Sequence, residues 1–132
     1  MSYLLDTHAF LWSLFNPELL SGKAGSLIRN PDNTVYVSVV SLWEISLKYA
    51  LGKLELTNIA PENLPDAAQQ MGLDILALEA GEAASFYRLP PSGHKDPFDR
   101  LLIWQAMQHK MTLISKDAKF GDYRKIGLKS VW

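Results

Sequence analysis

The chain has 132 residues, 48% of them hydrophobic and 20% charged, with a net charge of −1, which is the make-up of one ordinary globular domain, residues 1–132, able to bury a core. No apolar run nears the roughly 18 residues that a membrane span needs, and Met1–Asp6 has neither the basic start nor the cleavage site of a signal peptide. The absence of cysteine excludes disulfides and thiolate metal sites, leaves oxygen or imidazole to hold any metal, and fits a cytoplasmic location.

Short β-like runs alternate with longer helical ones. Tyr3–Leu5 reads as an apolar strand, and His8–Phe15 as a helix closed by Asn16-Pro17. Ser21 is placed to cap a helix over Gly22–Arg29 that stops before Asn30-Pro31. Thr34–Val37, β-branched and aromatic, predicts a buried strand. Ser38 or Ser41 can cap the next helix, which runs through Leu51 and ends at Gly52. The periodicity of that helix predicts an apolar face of Val40, Trp43, Leu47, Ala50 and Leu51, with Glu44 at its edge. A helix follows over about Pro61–Met71, then a strand at Leu73–Leu76, a helix at Glu79–Tyr87 and a loop over residues 89–95. Phe98–His109 reads as a helix, Met111–Ser115 as a strand and Ser130–Trp132 as a short final strand. Trp12, Trp43 and Trp104 fall in helical patterns that predict core positions. The alternation implies an α/β fold, a parallel sheet of four to five strands with helices on both faces. In such sheets ligands bind beyond the carboxyl ends of the strands.

That rule draws attention to four acids. Asp6 follows the first strand, where it can cap a helix or ligate a metal, and Thr7 can support a carboxylate by hydrogen bonding. Glu44 can pair with Lys48 at i+4 on an exposed face or point toward the strand ends. In His94-Lys95-Asp96-Pro97-Phe98-Asp99-Arg100, Asp96 suits an N-cap, Pro97 the first helical position and Asp99 a capping box. Asp117 follows a strand and can serve as a turn residue. Singly, each has an ordinary structural use. Together they stand near strand ends that a parallel sheet can bring to one rim, where ionised carboxylates gather only around a cation. Clustered hard oxygens select Mg²⁺ or Mn²⁺. Charge adds to this: residues 95–132 hold eight Lys/Arg against four Asp/Glu, including Lys95, Arg100, Lys116 and Lys119. Such a background suits either a phosphate-binding surface or solvated faces. No glycine-rich phosphate loop and no G-x-S-x-G nucleophile elbow occurs.

Leu4-Leu5-Asp6-Thr7-His8 and Val37–Ile45, followed by Asp96–Ile103 and Leu113–Asp117 with Phe120, resemble in order the motifs of PIN-domain toxins of the VapC type. Trp104 and Gln105 depart from that pattern, standing where many relatives carry small residues. The resemblance implies a PIN fold and an endoribonuclease that hydrolyses RNA phosphodiesters by metal-activated water, leaving 5′-phosphate ends. It implies Asp6, Glu44, Asp99 and Asp117 as the Mg²⁺ or Mn²⁺ site, with Asp96 as an additional acid. It also implies a small cognate antitoxin and a homodimer. Arg100, Lys116 and His94 are lesser candidates for phosphate contacts. The alternatives are a receiver-like phosphoacceptor domain and a PIN-fold RNA-binding module without turnover.

Overall fold

Tyr3, Leu4 and Leu5 form the middle of the sheet because such a strand is covered on both faces. Tyr3 and Leu5 pack into one core layer and Leu4 into the other, all of them buried. The computed structural model describes residues 1–132 apart from the side chain of Lys119, so that member of the basic C-terminal stretch lies outside the described residues. Five strands, β1 (Ser2–Leu5), β2 (Thr34–Ser38), β3 (Asp74–Leu76), β4 (Thr112–Ile114) and β5 (Lys129–Val131), pair in the order β3-β2-β1-β4-β5. Every pairing is parallel, with Tyr3 opposite Val35 on one side and Leu4 opposite Leu113 on the other. This order differs from that of receiver domains, where the first strand lies between the second and third. The receiver-like alternative is thereby set aside.

The helices are α1 (Thr7–Phe15), α2 (Gly22–Arg29), α3 (Val39–Ala50), α4 (Leu64–Gln70), α5 (Ala80–Ser85), α6 (Pro97–Gln108) and α7 (Gly121–Arg124). Phe10 of α1, Ala24 of α2 and Leu64 of α4 pack with Leu5 and Val37 on one face of the sheet. Leu102 and Ile103 of α6 and Tyr123 of α7 pack with Leu4 and Leu113 on the other. Ser21 caps α2 through the Ala24 N–H, and Ser38, rather than Ser41, caps α3 through the Val40 N–H. Gly52 and Gly72 close α3 and α4 with φ of +70° and +84°, a left-handed conformation that suits glycine. The helix expected from Pro61 starts instead as a 3-10 turn over Pro61–Asn63 before α4. Pro65 has no N–H for the carbonyl of Pro61, so that carbonyl takes the Leu64 N–H, one residue nearer. Among the described residues no helix is long and apolar enough to cross a membrane.

The largest departure concerns α3. Its buried residues are Val40, Ser41, Glu44 and Ile45, whereas Trp43 is 60% exposed and Leu47, Ala50 and Leu51 also face outward. The expected apolar face is therefore overturned, except at Val40. The physical reason is a polar contact: Thr7 donates its hydroxyl proton to Glu44 Oε1 (2.7 Å) and lies in hydrogen-bond contact with the Ser41 hydroxyl (3.0 Å), which seats the polar edge of α3 against α1. Trp43 instead lies edge-on to Phe98, and with Ala83, Phe86, Pro97 and Leu101 it lines a shallow apolar cavity of about 190 Å³. Trp104, by contrast, is a core residue, 7% exposed, whose indole N–H donates to the Glu82 carbonyl. Gln105, fully buried beside it, links α6 to the Ser38 hydroxyl and to the Ala77 carbonyl. The two bulky departures from the family pattern thus tie α6 to the rest of the fold.

Candidate active site

The chain steps from β1 outward to β2 and β3, then returns past β1 to add β4 and β5 on the far side. Where strand order reverses in this way, the connections leaving the two central strands diverge and open a crevice at their carboxyl ends. Asp6 and Ser115 stand at those ends. The Asp6 N–H extends the ladder to the Ile114 carbonyl (3.1 Å). One Asp6 oxygen caps α1 by accepting the Ala9 N–H (2.8 Å), and the other accepts the Ser115 hydroxyl (2.6 Å). Ser115 Oγ in turn accepts the N–H of Asp117 (3.0 Å). Asp6 is thus a helix cap and a member of the crevice at once. Burial pushes its carboxyl above the ordinary value, with the charge of Asp117 adding to the rise, while the hydrogen bonds from Ser115 and Ala9 and the nearby His8 oppose it.

α6 approaches from the other side of the crevice. Asp96 caps it, one carboxylate oxygen accepting the N–H groups of Phe98 (2.9 Å) and Asp99 (3.0 Å). That frees Asp99 from capping. Its side chain, about a quarter exposed, meets His94 Nε2 at 3.1 Å. Burial, reinforced by the charges of Asp96 and Glu44, pushes the Asp99 carboxyl up to about 6 against the pull of His94. Asp6, Asp99 and Asp117 line one cavity of about 270 Å³ together with His8, Trp12 and Lys116. His94, Asp99 and Asp117 also offer ligand atoms that all lie within 4.8 Å of one another.

Glu44 is brought near but is not among the residues that line this cavity. It is 4% exposed, holds Thr7 with one oxygen and pairs with Lys48 through the other. The i+4 pair expected of an exposed glutamate exists, but on a buried carboxylate. Its charge reaches the crevice by opposing the ionisation of Asp99. The lesser candidates divide. Lys116 lines the cavity, with its ammonium 5.9 Å from the centre of the Trp12 ring. Arg100 is engaged by the carbonyls of Leu89 and Pro90 and by the Tyr123 hydroxyl. His94 is buried against Phe120 and lines a separate cleft with Pro91, Ser92, Lys95 and Arg100. Two cavity residues escaped the sequence reading. Trp12, expected in the core, is only half-buried and faces the crevice, and His8 stands beside it. Their i,i+4 spacing on a helix that starts at Asp6 was the available signal.

Three carboxylates in one cavity, with the ionisation of Asp6 opposed by burial and by Asp117 and that of Asp99 by burial and by Asp96 and Glu44, suit a hard divalent cation. Oxygen donors dominate the set; of the two imidazoles nearby, that of His94 is buried and already paired with Asp99, and that of His8 lies beside the Trp12 ring. Such an ion would favour the charged forms of Asp6 and Asp99, which burial first and neighbouring carboxylates second oppose.

A family model described as PIN domain matches residues 3–126. Ribonuclease VapC22 of Mycobacterium tuberculosis is 27% identical over 129 residues, 98% of this chain and 97% of that protein. Among solved structures, VapBC2 from Rickettsia felis, bound to a DNA fragment from its promoter, shares the fold with a TM-score of 0.65 and 20% identity, over 99% of this chain and 98% of that one. VapBC-5 from Mycobacterium tuberculosis, a member of the VapBC family of toxin–antitoxin systems, does so with a TM-score of 0.57 and 18% identity, covering 98% and 95%. With the family model matched over residues 3–126 and a central sheet that opens its crevice at Asp6 and Asp117, this chain belongs to the PIN domain family.

Proposed function

We propose that this protein is a Mg²⁺- or Mn²⁺-dependent endoribonuclease, the toxin of a toxin–antitoxin pair. The observation that carries the reading is the convergence of Asp6, Asp99 and Asp117 on one cavity at the switch point of the sheet. When bound, a divalent ion supplies charge neutralisation at the phosphate and a lowered pKa for water. The chain supplies the rest. Asp6, Asp99 and Asp117 hold the ion, and Glu44, fixed by Thr7 and Lys48, completes the negative field beside them. Ser115 orients the Asp6 carboxylate and His94 orients that of Asp99, so both acids are aimed before substrate arrives. Asp96 stays with the α6 cap. Likeness to ribonuclease VapC22 supports RNA as the substrate, and likeness to the VapBC toxin–antitoxin complexes supports an antitoxin as partner.

The test uses purified wild type and Asp6→Asn against total RNA, with Mg²⁺ and with EDTA. Wild type with Mg²⁺ should leave 5′-phosphate ends, and EDTA should abolish cutting. Asp6→Asn should lose activity on the order of 100-fold or more. Cyclic 2′,3′-phosphate ends or cleavage undiminished in EDTA would exclude hydrolysis assisted by a divalent ion. Equal cutting by both proteins would assign the activity to another site, and binding without cutting would favour a module without turnover.

A further inference from the structure

The acids account for only half of the cavity lining. The other half is His8, Trp12 and Lys116. α1 places His8 and Trp12 one turn apart, their ring centres 5.6 Å apart and their planes inclined by 31°. Trp132 braces the indole edge-on at 5.8 Å and 63°, and Lys116 sets its ammonium over the same ring. An indole that served only the core would turn inward with Phe10, which is fully buried on the same helix. Trp12 instead is only partly buried at the mouth of a carboxylate cavity, and His8 is exposed beside it. A pair of neighbouring aromatic rings held by a third, with a cation beside it, offers π faces on which an unpaired nucleobase can stack.

We propose that His8 and Trp12 form a stacking platform for the base of a nucleotide adjoining the scissile phosphate, with Lys116 contacting that nucleotide's own phosphate. The proposal rests on the reading of the cavity as an RNA-cutting site and adds the residues that hold the nucleotide beside the cut. Bases inside a duplex keep both faces covered by their neighbours and cannot reach the platform. Every base has a π face, so the platform selects an unpaired nucleotide rather than a particular letter. Lys116 leaves the indole when the base arrives, and its charge then meets the phosphate instead of the ring.

The experiment is steady-state cleavage, with Mg²⁺, of a short single-stranded RNA by wild type, Trp12→Leu and His8→Ala. One abasic ribonucleotide is walked through the positions flanking the cut. For wild type, one flanking position should show KM raised about tenfold or more when its base is missing, the scale of a lost stacking contact. Trp12→Leu should show a similar rise on the intact RNA and no further rise on the abasic one, with kcat less affected than KM. His8→Ala should show the same loss of sensitivity in weaker form, and its exposed position lets it carry the test if Trp12→Leu does not fold. An abasic penalty of the same size in the variants as in wild type would overturn the platform. So would wild-type KM in both variants on intact RNA, the outcome expected if these rings serve a protein partner. If wild type itself cuts no RNA, the nuclease reading falls and the platform falls with it; if wild type cuts and the variants are unchanged, the platform alone falls.

Discussion

Burial and the neighbouring charges of Asp96 and Glu44 push Asp99 up to about 6, so folding favours its protonated form relative to an open chain whose carboxyls titrate near 4. The sign follows from the raised value. Below pH 4 the group is protonated in both states and costs nothing; as pH rises through about 6 the folded protein must hold a disfavoured charge, and stability is lost. In EDTA at pH 7.5, Asp99→Asn should therefore be more stable than wild type by on the order of 1 kcal/mol, after discounting for the solvent that reaches the side chain. Urea unfolding measures this, and the advantage should vanish toward pH 4. Mg²⁺ should raise the stability of wild type and have little effect on the variant. A variant no more stable than wild type at pH 7.5 would mean that Asp99 carries its charge without strain. Asp99 also marks a limit of sequence reasoning: its place three residues after the cap suggested a capping-box acid, but its carboxylate meets His94 instead, through a loop conformation that places a buried imidazole five positions back against it.

Helix ends were the most legible elements, because they are decided by residues adjacent in sequence. Ser21 and Asp96 cap the helices they precede, and Gly52 and Gly72 end theirs in the left-handed conformation. The α6 cap gives a direct test that separates the two neighbouring acids. Asp96→Asn keeps a good capping side chain and should retain both stability and RNA cleavage within a few-fold, whereas Asp96→Ala should lose about 1 kcal/mol in urea unfolding. A large loss of cleavage in Asp96→Asn, with folding intact, would move Asp96 into the metal site. The orientation of α3 was not legible, and the reason is distance along the chain. Periodicity weighs Trp43, Leu47 and Leu51 as an inward face, but the contact that turns Glu44 inward comes from Thr7, 37 positions earlier. Local pattern records hydrophobicity and cannot register a polar partner delivered by another element. Trp12 was misplaced for the same reason, since apolar spacing on α1 does not distinguish a ring in the core from one at a cavity mouth. Four residues of α7 are too few to show a period at all.

At the scale of the molecule, the alternation of short apolar strands with helices was enough to give a parallel sheet covered on both faces. The order of strands was not in that pattern, since it depends on which side of β1 the chain takes after β3. That choice makes the crevice, because it sets Asp6 and Asp117 on diverging connections. Residues on β1 and β4 contribute to core layers on both faces, so residues 1–132 should unfold as one cooperative unit. Coincident melting by far-ultraviolet circular dichroism and tryptophan fluorescence would bear this out, and two separated transitions would count against it.

The bond from Ser115 to Asp6 joins residues 109 positions apart, and this has a consequence for how the protein is made. Within residues 1–132, β1 and Asp6 are synthesised long before β4, which pairs beside them, and before the carboxylate of Asp117. From the synthesis of Asp6 to that of Asp117, a growing chain carries this acid without the partners that give it a cutting site. Chains broken off before Asp99 hold Asp6 and Glu44 but neither of the acids that face Asp6 across the crevice. On the proposed function, a growing toxin cannot attack the RNA around it before β4 and Asp117 are made, because the sheet withholds assembly of the site until then.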